Sequence, residues 1–211
     1  MEPNKPADAA AIPADAAPRK RGRRMLWLVL AVCAAPVIAS YFTYYVIKPQ
    51  TRNNYGTLID QRAHPVPAMA TTTLDGRPQA LEQFKGKWVM LMTGPGACPD
   101  SGQKQLFAMR QLRLMQGNEA DRIERVWLIT DKEPLDTLTI REYDGTHMLR
   151  ADAAAVAGWL PADAGTTPAD HIYMIDPLGH LMMRFPKDPE FKDVRKVYKD
   201  IYKLLKASSV G

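Results

Sequence analysis

Cysteine and histidine are scarce in this sequence: its 211 residues include two cysteines and four histidines. Cys33 and Cys98 fall on either side of a predicted membrane boundary, so we expect no disulfide within the chain. A complete Cys-x-x-Cys redox pair is excluded, as is the Pro-x-x-x-Thr-x-x-Cys spacing of peroxidatic sites. The net charge of +5 is concentrated at two places, so it gives no reason to expect a nucleic-acid partner.

The longest apolar stretch, residues 25–47, carries no charged side chain. Its length is enough for a helix to cross a hydrocarbon core of about 30 Å. Basic residues precede it and tyrosines end it, which places the N-terminus in the cytoplasm. We therefore predict a disordered basic cytoplasmic tail over residues 1–24, a transmembrane helix over 25–47 in a bacterial inner membrane, and a C-terminal domain in the periplasm.

Cleavage or lipidation of the apolar stretch is the alternative. A cleaved signal peptide has a shorter apolar region and small residues at its cut site, and neither feature fits well here. Residues 30–33, Leu-Ala-Val-Cys, nearly match a lipoprotein processing site, but Val32 stands where a small residue is required. An uncleaved anchor is thus the interpretation that the composition favours.

Residues 48–67 are polar without a clear period and predict a linker, and residues 68–211 predict one α/β domain. Apolar runs at Trp88–Thr93 and Arg125–Thr130 predict buried strands, and the helical spacing over Ser101–Gln116 joins them by a right-handed crossover. A strand at Ile172–Asp176 then turns into an antiparallel partner. Further helices are predicted at Leu135–Tyr143, Ala153–Leu160 and from Phe191 to Leu205. This order predicts a thioredoxin-like three-layer fold.

Lysines recur along the last predicted helix, from Lys187 to Lys206. They lie mostly opposite its apolar stripe, so a solvated face is the expected arrangement. A basic surface that meets anionic lipid headgroups or an acidic partner is the alternative.

The segment most informative about chemistry is residues 94–101, Gly-Pro-Gly-Ala-Cys-Pro-Asp-Ser, between a predicted strand and a predicted helix. A thiol there faces unpaired backbone N–H groups and the positive end of a helix dipole, which lower its pKa. Cys98 is therefore the candidate thiol nucleophile or metal ligand. A half-buried cysteine without a chemical role is the alternative.

On these residues the chain resembles the Sco/SenC family of membrane-anchored, thioredoxin-like proteins, which handle copper for cytochrome c oxidase assembly. Gly94 and Cys98-Pro99-Asp100 match the family's Cys-Pro-Asp-x-Cys-Pro segment, and the resemblance covers residues 68–205. Other matching stretches are Ile129-Thr130-Asp131, Asp136-Thr137, Asp170-His171 and Asp176-Pro177-Leu178-Gly179.

The chain also departs from the family's copper motif. The resemblance implies two cysteines and a histidine as copper ligands, but Gly102 stands at the second cysteine position. Pro168 falls where the histidine belongs, and His171 reaches that place only with a gap. Copper binding through Cys98 and His171 would be weak unless a methionine contributes. Candidate methionines are Met90, Met92, Met174, Met182 and Met183.

Pro168 also has a second interpretation. Thr167-Pro168 before a strand is the usual place of the thioredoxin fold's cis-proline, which would face Cys98. Cys98 then belongs to a monothiol variant of the redox motif, able to form a mixed disulfide but without a resolving thiol.

The resemblance implies a Sco-like accessory factor in assembly of the respiratory cytochrome c oxidase, with oxidase subunits or assembly factors as partners. The missing cysteine favours docking or thiol handling, with Cys98 forming a transient bond, over independent copper delivery and over enzymatic turnover. A membrane-tethered monothiol thiol-disulfide oxidoreductase is the alternative. A third possibility is a degenerate scaffold in which Cys98 has no role.

Overall fold

The computed structural model describes residues 19–47, 54–187 and 192–208, in two compact units that divide between Thr51 and Arg52. Residues 1–18 of the predicted tail, the linker residues 48–53 and the predicted helix start at Phe191 lie outside these ranges. Residues 19–24 of that tail are helical, so the prediction of disorder is wrong for them.

Helix α1 (Arg19–Phe42) forms the described part of the first unit, with a π-helical turn at Thr43–Ile47. Within it, the segment Gly22–Tyr45 contains an 18-residue window with a mean hydropathy of 2.1. Apolar side chains such as Leu26 and Ile38 are more than 60% exposed. A helix of this length and composition fits a membrane anchor.

The second unit contains one seven-stranded sheet in the order β1-β7-β6-β3-β4-β5-β2. Its parallel centre, β3, β4 and β5, is flanked by antiparallel strands. The strands are β1 (Thr57–Leu58), β2 (Thr71–Thr73), β3 (Trp88–Gly94), β4 (Ile123–Ile129), β5 (Thr146–Ala151), β6 (Tyr173–Ile175) and β7 (Leu181–Arg184). The helices are α2 (Asp100–Met115), α3 (Thr137–Glu142), α4 (Ala153–Trp159) and α5 (Val194–Ala207).

Two apolar clusters cover the two faces of the sheet, as alternation along the strands requires. In β4, Ile123, Trp127 and Ile129 face one cluster, which includes side chains of α2 and α5. Val126 and Leu128 face the other, which includes side chains of α4. Both clusters are built from the second unit, which we therefore expect to fold without α1.

Two strands differ from the sequence expectation. Thr57–Leu58, inside the expected linker, pairs with Arg184 and Met183 of β7. Strand β5 was not predicted, although it pairs in parallel with β4 along five residues. Only its two central residues are buried, so β5 lacks the continuous apolar run that marks β3 and β4.

Candidate functional site

The candidate site is the loop of residues 94–99, between the carboxyl end of β3 and the first turn of α2. The Cys98 N–H donates to the Pro95 carbonyl oxygen at 3.1 Å, which closes a tight turn. Cys98 has a φ of 42°, in the left-handed region that non-glycine residues seldom adopt. Such a conformation persists only where its surroundings hold it.

The loop is held by the ends of two neighbouring strands. The Gly96 N–H lies 3.0 Å from each carboxylate oxygen of Asp131, which follows β4. A Cβ at position 96 would lie 2.9 Å from Asp131 Oδ1, so only glycine permits this approach. Arg150 of β5 donates to the carbonyl oxygens of Asp131 and Glu133, at 2.7 and 2.8 Å. Asp131 and Arg150 are thus positioning residues for the cysteine loop.

The Cys98 side chain points into the core and is 3% exposed. Burial raises its pKa from an ordinary value of 9.0 to about 11. The prediction of a lowered thiol pKa is therefore wrong. A helix N-terminus contributes about 0.3–1 kcal/mol, whereas a pKa raised from 9.0 to about 11 corresponds to roughly 3 kcal/mol in favour of the protonated thiol. Desolvation outweighs the dipole.

A small cavity of about 20 Å³ adjoins the thiol, and Cys98, Gly102, Trp127 and Ala169 are among its lining residues. Gly102 lies one helical turn beyond Cys98, and a Cβ built there would lie 3.2 Å from Cys98 Sγ. The same position lies 3.9 Å from Met92 Cε. The second cysteine position of the Sco/SenC motif thus faces Cys98 directly, but here it carries no donor.

The loop that contains Pro168 lies beside this cavity. Gln105 of α2 donates from Nε2 to the Ala169 carbonyl oxygen at 2.9 Å. The peptide bond before Pro168 is trans, because the described residues contain no cis peptide, so the cis-proline prediction is wrong. Pro168 instead opens a short 3-10 helix, Pro168–Asp170, where its fixed φ suits the first position.

His171 is fully buried and does not line the Cys98 cavity. Its Nδ1 lies 2.8 Å from the Phe185 carbonyl oxygen, and its Nε2 lies 2.7 Å from Thr166 Oγ1. Because both ring nitrogens are engaged in hydrogen bonds, neither is available to a metal as the side chain stands. The described residues also contain no group of three or more His, Cys, Asp or Glu side chains that could hold a metal ion. The predicted copper pair of Cys98 and His171 therefore does not fit.

The parallel centre of the sheet, the crossover helix α2 and the cysteine at its start define a thioredoxin-like α/β domain, as predicted. The chain belongs to the family described as transmembrane-like, thioredoxin-like, C-terminal domain, whose profile matches residues 88–208. These residues run from the first position of β3 to the end of α5. A search of curated proteins finds no significant match.

Solved structures with this fold include both thiol-disulfide oxidoreductases and Sco/SenC proteins. The resemblance to the Sco/SenC family predicted from the sequence is thus confirmed. The thioredoxin domain of a thiol-disulfide oxidoreductase from Bacteroides vulgatus is 18% identical, with a TM-score of 0.51 over 71% of this chain and 99% of its own. A SCO1/SenC family lipoprotein from Bacillus anthracis is 15% identical, with a TM-score of 0.52 over 68% and 94%. Apo Sco1 from Thermus thermophilus is 19% identical, with a TM-score of 0.52 over 75% and 98%. Likeness at this identity shows a shared fold.

Proposed function

We propose that this chain is a membrane-anchored docking factor for assembly of a respiratory cytochrome c oxidase. In this role its thioredoxin-like surface binds oxidase subunits or assembly factors, and Cys98 undergoes no redox turnover. The observation that carries the proposal is the state of the thiol site: Cys98 is buried with a raised pKa, and Gly102 faces it where a resolving thiol would stand. The predicted transient bond through Cys98 is accordingly not part of this proposal.

The proposed topology places the apolar part of α1, from Met25 onward, across the bacterial inner membrane, with residues 1–24 in the cytoplasm and the thioredoxin-like domain in the periplasm. The support is the uncharged span and its basic N-terminal flank. A tether of this kind raises the effective concentration of the domain at a membrane-embedded partner, so docking does not require a strong intrinsic affinity.

Copper delivery by this chain alone is not part of the proposal, since one buried thiol offers a poor site for a soft ion. Cu(I) prefers thiolate and thioether ligands, and Met92 is the soft side chain beside the cavity. We expect Cu(I) binding by residues 52–211 to be weak in a competition titration with a chromophoric chelator. Near-stoichiometric tight binding that is lost in Cys98→Ser would reverse this assignment.

Pull-down from solubilised membranes under non-reducing conditions tests the docking role. We expect the full chain and its Cys98→Ser variant to retain the same oxidase subunits or assembly factors, because the proposed contact is noncovalent. Recovery of a partner only as a mixed disulfide, and only with Cys98 intact, would refute docking.

The competing function is a tethered monothiol oxidoreductase acting on periplasmic protein thiols. The strained φ of Cys98 and the cavity beside it favour this possibility, because strain and a pocket are common at reactive sites. A thiol that exchanges rapidly at neutral pH would need a pKa well below the value of about 11 that burial imposes. The pH dependence of Cys98 alkylation distinguishes the two functions.

A further inference from the structure

The exposed face of α5 concentrates positive charge on a domain that is otherwise nearly neutral. Residues 52–211 contain 21 Lys and Arg against 20 Asp and Glu. Helix α5 alone has five basic residues and one acidic residue, Asp200, which is buried. The five basic side chains, all exposed, belong to Arg195, Lys196, Lys199, Lys203 and Lys206.

Local ion pairs engage three of these five side chains without burying them. Lys196 pairs with Asp193 at 2.8 Å, Lys203 lies 3.6 Å from Asp200, and Lys206 lies 3.5 Å from Glu119. All three lysine side chains remain more than half exposed, and ion pairs made by such exposed side chains are weak and screened by salt. The face also carries Tyr202, which is 42% exposed, and tyrosine is enriched where proteins meet the headgroup region.

The residues where the chain enters the domain are hydrogen-bonded to α5. The buried Asp200 carboxylate accepts hydrogen bonds from the N–H groups of Tyr55 and Gly56, at 2.6 and 2.9 Å. Lys196 Nζ lies 5.2 Å from the centre of the Tyr55 ring, within range of a cation–π contact. A Cβ at Gly56 would lie 2.6 Å from Met183 Sδ, so this entry point is closely packed and fixed to α5.

Chain length limits the distance between the anchor and the point where the chain enters the domain. Seven peptide steps separate Ile47, the last residue of the apolar stretch, from Asn54. Such a segment spans at most about 25 Å whatever its conformation. A cationic surface held at that range is at high effective concentration relative to the headgroups beside its own anchor.

From this charge and attachment we infer that the basic face of α5 binds anionic lipid headgroups of the membrane that holds the anchor. The inference rests on the membrane anchorage in the proposed function, and it adds a second contact that orients the domain. Each Lys or Arg near an anionic surface strengthens binding about fivefold, so five of them suffice for measurable binding without the anchor.

Vesicle co-sedimentation of residues 52–211 tests this, because both core clusters lie within that fragment. We expect binding to vesicles of phosphatidylcholine with about 30% phosphatidylglycerol, little binding to phosphatidylcholine alone, and loss at high salt. Arg195→Gln with Lys199→Gln should weaken binding by more than tenfold. The matched control, Arg77→Gln with Lys85→Gln, removes two positive charges from exposed positions outside α5. Arg77 lies near β2, and Lys85 lies in the layer on the other face of the sheet from α5. This variant should bind like the wild type.

Equal binding to neutral and anionic vesicles, absence of binding to both, or equal loss in the two double variants would each overturn the inference. Retention on immobilised polyglutamate without vesicle binding would assign the face to an acidic protein instead. These outcomes are independent of oxidase assembly, so failure of the lipid contact is distinguishable from failure of the docking role.

Discussion

The burial of Cys98 predicts a thiol that is almost inert at neutral pH. With the pKa raised from 9.0 to about 11, the thiolate population at pH 7.5 is about 100-fold smaller than for an ordinary cysteine. Only the thiolate is nucleophilic, so alkylation should slow by at least about this factor. Steric exclusion of the reagent from a thiol that is 3% exposed slows it further.

The assay is the rate of iodoacetamide modification of residues 52–211, followed by mass spectrometry from pH 6.5 to 10. This fragment contains Cys98 as its only cysteine, so no second thiol contributes to the signal. We expect the folded rate at pH 7.5 to be at least about 100-fold below that of the same fragment in denaturant.

A matched control places a thiol at a neighbouring exposed position. Ser101→Cys in a Cys98→Ser background puts the sulfur in the first turn of α2, where the side chain is exposed, and this variant should react at close to the denatured rate. Folded wild-type reactivity within tenfold of the denatured rate would refute the reasoning that desolvation dominates at this site.

Three further results are expected. Stability of residues 52–211 should fall as pH rises from about 9 to 11, by up to about 2–3 kcal/mol relative to Cys98→Ala, because the unfolded thiol ionises first. Gly102→Cys should form a disulfide with Cys98 on mild oxidation, read by thiol titration, since its Cβ would lie 3.2 Å from Cys98 Sγ. Asp131→Asn should lower the free energy of unfolding by about 1–2 kcal/mol in urea titrations, since its carboxylate binds the Gly96 N–H.

Each of these has its own control. The predicted pH dependence is wrong if Cys98→Ala loses as much stability as the wild type between about pH 9 and pH 11. Ser101→Cys, with Cys98 retained, should still show two free thiols when titrated in denaturant, because its side chain is exposed whereas that of Cys98 is buried. Asp121→Asn removes a carboxylate that is 95% exposed and should change the free energy of unfolding by less than about 0.5 kcal/mol. If Asp131→Asn has an effect as small as this, Asp131 is not a positioning residue.

Apolar patterning was sufficient to predict two of the three parallel strands at the centre of the fold. The runs of β3 and β4 are buried along almost their whole length, and such runs mark strands covered on both faces. Strand β5 was missed because its partial burial leaves no comparable pattern. Missing β5 also concealed Arg150, which reaches the carbonyl oxygens of Asp131 and Glu133 because β5 lies next to β4.

The character of the thiol could not be predicted from the local sequence. Position before a helix suggested that the helix dipole would lower the pKa of Cys98, but burial raises that pKa. The depth of Cys98 depends on side chains distant in sequence, including Trp127 and Met174 in the same cluster. Likewise, the Phe185 carbonyl and Thr166 hydroxyl that engage His171 are brought to it by the fold. Asp131 could have been suspected from its place just after a buried strand, where loops of parallel strands meet.

The central claim is that the domain serves oxidase assembly through docking and without thiol chemistry. The most direct measurement is assembled cytochrome c oxidase activity in membranes of the source bacterium with the gene deleted, then complemented with the wild type or with Cys98→Ser. We predict that deletion lowers the activity and that both versions restore it equally. Unchanged activity after deletion, or failure of an accumulated Cys98→Ser protein to restore it, would contradict the account.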